Sequence, residues 1–174
     1  MILFLASWAM MFGALFYSYG ILRARAPSWP PAGMPEVPIV VPAIITVLII
    51  VSSILLEQAR KALYVGDVTR FSRLMIGSIV LGALFLAVQS QVWMDLWSAG
   101  LQLTTGRYGS LFYFLTFFHA LHVVVGLGIL VRMFWTAPRL SSPIARYARA
   151  QYGAWFWHFV AVVWLIVFSL VYVY

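Results

Sequence analysis

The sequence predicts an all-α integral membrane protein with five transmembrane helices in one bundle. Three observations carry this. Apolar side chains make up 64% of the 174 residues and charged ones only 9%, too few to solvate a globular surface. The apolar residues fall in continuous runs of membrane length, which lipid tolerates as helices, and they lack the alternation of a barrel strand. The charges collect between those runs. The spans are expected at about 2–22, 37–56, 74–97, 110–135 and 152–174. With no repeat, linker or low-complexity segment, residues 1–174 read as a single membrane domain.

The first span opens without a basic n-region or a small-residue cleavage site, so it reads as a retained helix and not a signal peptide. It ends in Arg23-Ala24-Arg25. Pro27, Pro30, Pro31 and Pro35 then forbid helix and favour an extended, preordered loop. Pro38 and Pro42 are expected in the first turns of span two, where a missing N–H costs least. That span continues past the membrane as a polar helical tail from Glu57 to Leu63. Gly66 breaks it, and Asp67 is a natural N-cap for the helix that leads into span three. Span three ends wet, with Gln89, Gln91, Trp93, Asp95 and Trp97; tryptophans at that height are interface anchors. Span four opens on a cluster of aromatic residues and then carries His119 and His122, followed by Gly126 and Gly128, which permit close helix approach. A basic loop holding Arg132, Arg139, Arg146 and Arg149 is expected before span five.

Five spans place the termini on opposite sides. The N-terminal side collects Arg60, Lys61, Arg70, Arg73, Arg132, Arg139, Arg146 and Arg149; the other side has Arg23, Arg25 and Arg107. The positive-inside rule therefore puts the N-terminus in the cytoplasm and the C-terminus in the periplasm, with Arg23 and Arg25 as the minority signal. The net charge of +7 lies in these connections. It reads as orientation and lipid-headgroup contact, with Arg60, Arg139, Arg146 and Arg149 the headgroup candidates, and not as a nucleic-acid surface.

The chain has no cysteine, which excludes disulfides, iron–sulfur clusters, CxxCH haem attachment and cysteine-ligated copper. The four acids, Glu36, Glu57, Asp67 and Asp95, sit in loops or at interfaces. No carboxylate pair or Ser-His-Asp set forms, so no catalytic residues are expected. The three histidines, His119, His122 and His158, all lie in spans four and five. An ionisable group at membrane depth needs a reason to be there. His119 and His122 share one helix face. Either one, facing His158, would be a bis-histidine haem pair. The preferred reading is neutral imidazoles hydrogen-bonded across helices, contacts worth about 1 kcal/mol each. No metal site is expected.

These residues together resemble subunit III of haem-copper terminal oxidases (cytochrome c oxidase and its quinol-oxidising relatives), in a short five-helix bacterial form. The resemblance runs along nearly the whole chain: Trp29-Pro30-Pro31-Ala32-Gly33, Ser52 through Ala59 with Gly66-Asp67, Leu81-Gly82 with Gln89, Tyr108-Gly109-Ser110, Phe118-His119-Ala120-Leu121-His122-Val123 with Gly126, and Gly153 through Val160 with Trp164. The last two motifs are the specific ones. The family's first two helices have no counterpart, and the charge-derived orientation agrees with a seven-helix relative shortened by two.

The resemblance implies a non-redox accessory subunit of a respiratory oxygen reductase in the bacterial inner membrane. It would pack on oxidase subunits I and II in aerobic electron transport, stabilise the catalytic subunit and hold structural phospholipid, while haem and copper stay in the partners. Family-motif buried polar residues carry over to His119, His122, His158, Gln89 and Glu57. Four positions that are usually acidic in the family are Trp8, Val92, Gln151 and Ala161 here. Their loss favours a structural role over proton delivery, and former partners of those acids, such as His158, are expected to have other hydrogen-bond partners. The alternatives are the related accessory subunit of nitric oxide reductases and a free-standing bis-histidine membrane haem protein.

Overall fold

A computed structural model describes residues 2–31 and 33–174. Five α-helices follow in order: α1 (Ile2–Ala24), α2 (Val40–Tyr64), α3 (Val68–Ser98), α4 (Arg107–Thr136) and α5 (Pro143–Phe168), the last running into a π-helical turn, Ser169–Val173. All five are long and apolar enough to cross a membrane. At 31 residues, α3 is about 46 Å long. That exceeds the roughly 30 Å hydrocarbon core, so its ends stand in or beyond the headgroups.

The helix boundaries follow local chemistry, and two differ from expectation in an instructive way. α2 starts at Val40 with Ile39 as N-cap, so Pro42 lies in the first turn while Pro38 lies before it. Pro38 holds Val37 out of helical conformation, whereas the missing N–H of Pro42 is one the first turn leaves unpaired anyway. α2 then runs without interruption to Tyr64, and Gly66 at φ +83° ends it. Asp67 caps α3, its carboxylate accepting the Arg70 backbone N–H at 2.9 Å.

The second difference is the basic connection before α5. Arg132 belongs to α4, and Arg146 and Arg149 belong to α5; only Arg139 lies in the connection. Ser142 caps α5 by accepting the Ala145 N–H at 3.4 Å, and Pro143 sits in the first turn. This Ser-Pro pair is a helix-start signal. It lets α5 begin well before the apolar run does.

α2 and α3 form an antiparallel hairpin, and α5 packs against both α2 and α4. The centre is built on α5. Trp157 and Trp164 are completely buried, and space for Trp157 is made by glycines on two other helices. A Cβ on Gly82 of α3 would stand 2.7 Å from the Trp157 ring, and one on Gly126 of α4 would stand 2.9 Å from it. Glycine at these points is a steric requirement of close helix approach. α1 is the most loosely held helix, attached chiefly through rings: Phe12 lies 5.6 Å from Phe118 and Phe4 lies 6.5 Å from Phe156. The loop after α1 is anchored the same way, with Trp29 edge-on to both Tyr19 (5.6 Å) and Tyr108 (5.0 Å).

Candidate functional site

The polar groups at membrane depth form a seam through the bundle. In the α2–α3 contact, the Ser52 hydroxyl donates to the Ser78 carbonyl at 2.9 Å, and the Ser78 hydroxyl donates back to the Ser52 carbonyl at 3.0 Å. The Trp157 indole N–H donates to Ser52 Oγ at 3.1 Å, which ties α5 to the same point. Along α5, Trp164 donates to Thr46 Oγ1 at 2.9 Å. Thr46 in turn donates to the Pro42 carbonyl at 2.7 Å, the back-bond to the residue four positions earlier that threonine hydroxyls make on a helix. Trp93 of α3 donates to Thr116 of α4 at 3.1 Å, and the Gln89 amide of α3 donates to the Tyr172 hydroxyl at 3.0 Å. Apart from the bond between Thr46 and Pro42, each of these contacts joins two elements.

The histidines are placed differently. His119 is fully buried among rings: Trp164 at 5.3 Å, Phe85 at 6.1 Å and Phe12 at 6.5 Å. Neither of its ring nitrogens has a hydrogen-bond partner. His122 donates from Nδ1 to the Phe118 carbonyl at 2.7 Å, within its own helix, and Nε2 is unpartnered. The expected imidazole bonds across helices are therefore absent for this pair. Helix-to-helix bonding falls instead to the Ser52–Ser78 pair and to Trp157, Trp164, Trp93 and Gln89, each of which places an N–H against a hydroxyl on a facing element. His158 faces the other way, toward α2, with Nε2 3.9 Å from the Glu57 carboxylate. His119 and His122 share contacts with Phe12 of α1, whereas His158 lines the α2–α5 groove. This arrangement does not fit one haem iron between them. Among the described residues, no group of three or more His, Cys, Asp or Glu side chains stands in position to hold a metal ion.

A charged latch closes the polar end of α2. The Arg60 guanidinium grips Glu57 with two nitrogens, at 2.9 and 2.5 Å, and donates to the Tyr147 hydroxyl and to Gln151 Oε1, both at 2.9 Å. Arg60 therefore binds α5, and its fork is occupied. Two of the other basic candidates are also engaged by the protein. Arg139 lies 5.9 Å from the Trp135 ring, and Arg146 donates to the Leu140 carbonyl across the turn before α5. Arg149 borders a shallow cavity between α4 and α5.

The four neutral positions singled out in the sequence each have a local role. Trp8 meets His122 edge-on with ring centres 3.9 Å apart. Val92 is buried in the core. Gln151 accepts from Arg60. Ala161 lines the groove beside His158 and Glu57. The hydroxyl partners Ser52, Ser78, Thr46, Thr116 and Tyr172 were not recognisable as a set from the sequence. The available signal was small hydroxyl residues recurring on apolar helices, the usual mark of a close helix contact.

The family model of cytochrome c oxidase subunit III matches residues 1–174. The chain belongs to the cytochrome c oxidase subunit III family. It is 34% identical over 176 residues to cytochrome c oxidase subunit 3 of Synechocystis sp., a match covering 98% of this chain and 72% of that protein. It is 33% identical to the subunit 3 of Thermostichus vulcanus, covering 99% of this chain and 85% of the relative. The Bos taurus subunit 3 is 31% identical over 178 residues, covering 99% and 67%. As a subunit III family member with five membrane-length helices, the protein is a multi-pass membrane protein. These relatives are named for cytochrome c oxidase, which does not favour the nitric oxide reductase reading.

Proposed function

We propose that the chain is the non-redox accessory subunit III of a respiratory haem-copper oxygen reductase. It packs on subunit I, beside subunit II, and stabilises the catalytic subunit in aerobic electron transport. The match along residues 1–174 to subunit III carries this reading. The geometry supports it from the chemical side. The hydroxyl and indole groups of the seam hold helices together, as Trp157 with Ser52 and Ser78, or Trp164 with Thr46, while the unpartnered nitrogens of His119 and His122 lie among aromatic rings. A scaffold needs that arrangement, and a reacting centre would need some of those groups free.

In this reading residues 1–174 form a single membrane domain in the bacterial inner membrane. The N-terminus is cytoplasmic and the C-terminus periplasmic, on the strength of the basic residues gathered on one side. Haem and copper reside in the partner subunits. His119, His122, His158, Gln89 and Glu57 serve packing and helix registration here. The test is native purification through a tag on this chain, with an optical spectrum of the product. Recovery of a larger haem- and copper-bearing oxidase, with no haem left on this chain after separation, is the expected result. Recovery of the chain alone with bound haem overturns the proposal.

A further inference from the structure

A cavity of about 290 Å³ lies between the last turns of α4 and the first turns of α5. Arg132 and Arg149 border it, one from each helix, together with Thr136 and Tyr152. Both arginines are exposed, and among the described residues neither side chain has an ion-pair partner. Thr136 is turned away, its hydroxyl donating to the Arg132 carbonyl at 2.7 Å. The four acids of the chain are Glu36, Glu57, Asp67 and Asp95, so residues 96–174 supply no carboxylate. Two guanidiniums on one cavity repel each other, and each keeps a planar fork of donors that fits an oxyanion.

The level of the cavity narrows what can enter it. Arg132 stands about 37 Å along α4 from Arg107, more than the roughly 30 Å hydrocarbon core. The cavity therefore sits at headgroup level or beyond it. Towards the bilayer centre the two helices touch. A Cβ on Gly153 would stand 2.9 Å from Met133 Sδ, and one on Gly126 would stand 2.9 Å from the Trp157 ring. An acyl chain has no room to follow a headgroup between α4 and α5, so the cavity takes a compact oxyanion from the water side. Beside the arginines, Tyr152 is 49% exposed, and its ring lies 5.9 Å from that of Trp155, itself 38% exposed. Arginine flanked by exposed tyrosine and tryptophan is the composition of a protein–protein contact.

We propose that this end of α4 and α5 docks an acidic segment of a partner subunit, with a partner carboxylate held between Arg132 and Arg149. The carboxylate supplies the counter-charge that this half of the chain lacks, and the Tyr152 and Trp155 rings give the contact its apolar flank. This docking rests on the accessory-subunit reading and names the surface through which one partner is held.

The experiment purifies the complex through a tag on this chain and follows the loss of haem per chain during washes of rising salt. The double variant Arg132→Gln/Arg149→Gln is expected to shed the haem-bearing partner about tenfold faster than wild type. Arg149→Lys, which keeps the charge but not the fork, falls between them. The thermal midpoint of the chain is expected to stay unchanged, since both arginines are exposed. A photocrosslinking residue in place of Tyr152, in an otherwise wild-type chain, is expected to join a partner peptide that contains Asp or Glu. If the double variant lowers the midpoint, this crosslink decides alone. Crosslinking to lipid or to a second copy of this chain overturns the proposal, as does a rate of loss indifferent to the double variant. Either result in an intact wild-type complex sinks this surface alone. Absence of any haem-bearing complex with the wild-type chain sinks the underlying reading.

Discussion

Trp157 shows what a single residue does in this bundle. Its ring fills the space between Gly82 and Gly126, and its N–H ends on Ser52. In lipid no hydrophobic force draws helices together, so contact depends on packing and on bonds such as this one. Gly82→Ala puts a Cβ against a rigid, fully buried ring, 2.7 Å from it. The expected cost is about 1–3 kcal/mol, seen as a lower midpoint of thermal unfolding in detergent. An unchanged midpoint would show that α3 withdraws freely from α5. The motif glycines were visible in the sequence, but the ring that makes them necessary was not. Pairing Gly82 with Trp157 requires knowing how α3 and α5 cross.

At the scale of elements, helix ends were more legible than helix faces. Asp67 was readable as a cap because capping depends on residues only three apart. Asp67→Ala is expected to remove about 1 kcal/mol from the start of α3. Hydrogen exchange checks this, as faster exchange over residues 68–71 with the rest of α3 unchanged. The start of α5 was missed because hydropathy marks where lipid begins, not where helix begins. Ser142 and Pro143 start the helix, and a basic first stretch then precedes the apolar run. The latch at Arg60 depends on that extra helix, since Tyr147 and Gln151 reach Arg60 only if residues 143–151 are helical.

At the scale of the whole molecule, the orientation of the bundle is the property most open to direct test. The chain has no cysteine, so a single introduced thiol reports one side without background. Ser141→Cys, before α5, is expected to react with an impermeant maleimide only after the cytoplasmic face is opened. Thr104→Cys, before α4, is expected to react in intact cells. The reverse pattern would mean that Arg23 and Arg25, and not the larger basic group, set the topology.

The sequence by itself determined that this chain makes five long apolar helices, and it located most of their ends. Both properties arise from local causes: unbroken hydrophobic runs, prolines, glycines and caps. It also marked the family through motifs around His119, His122 and His158. Only the tertiary structure decided which polar groups meet. It turned His158 toward Glu57 and away from the other two histidines, left His119 among aromatic rings, and gave the helix-to-helix bonds to tryptophans and hydroxyls. The physical reason is that a hydrogen bond across helices depends on rotation and crossing angle. Those are set by steric fit along the whole contact, and no local stretch of sequence contains them.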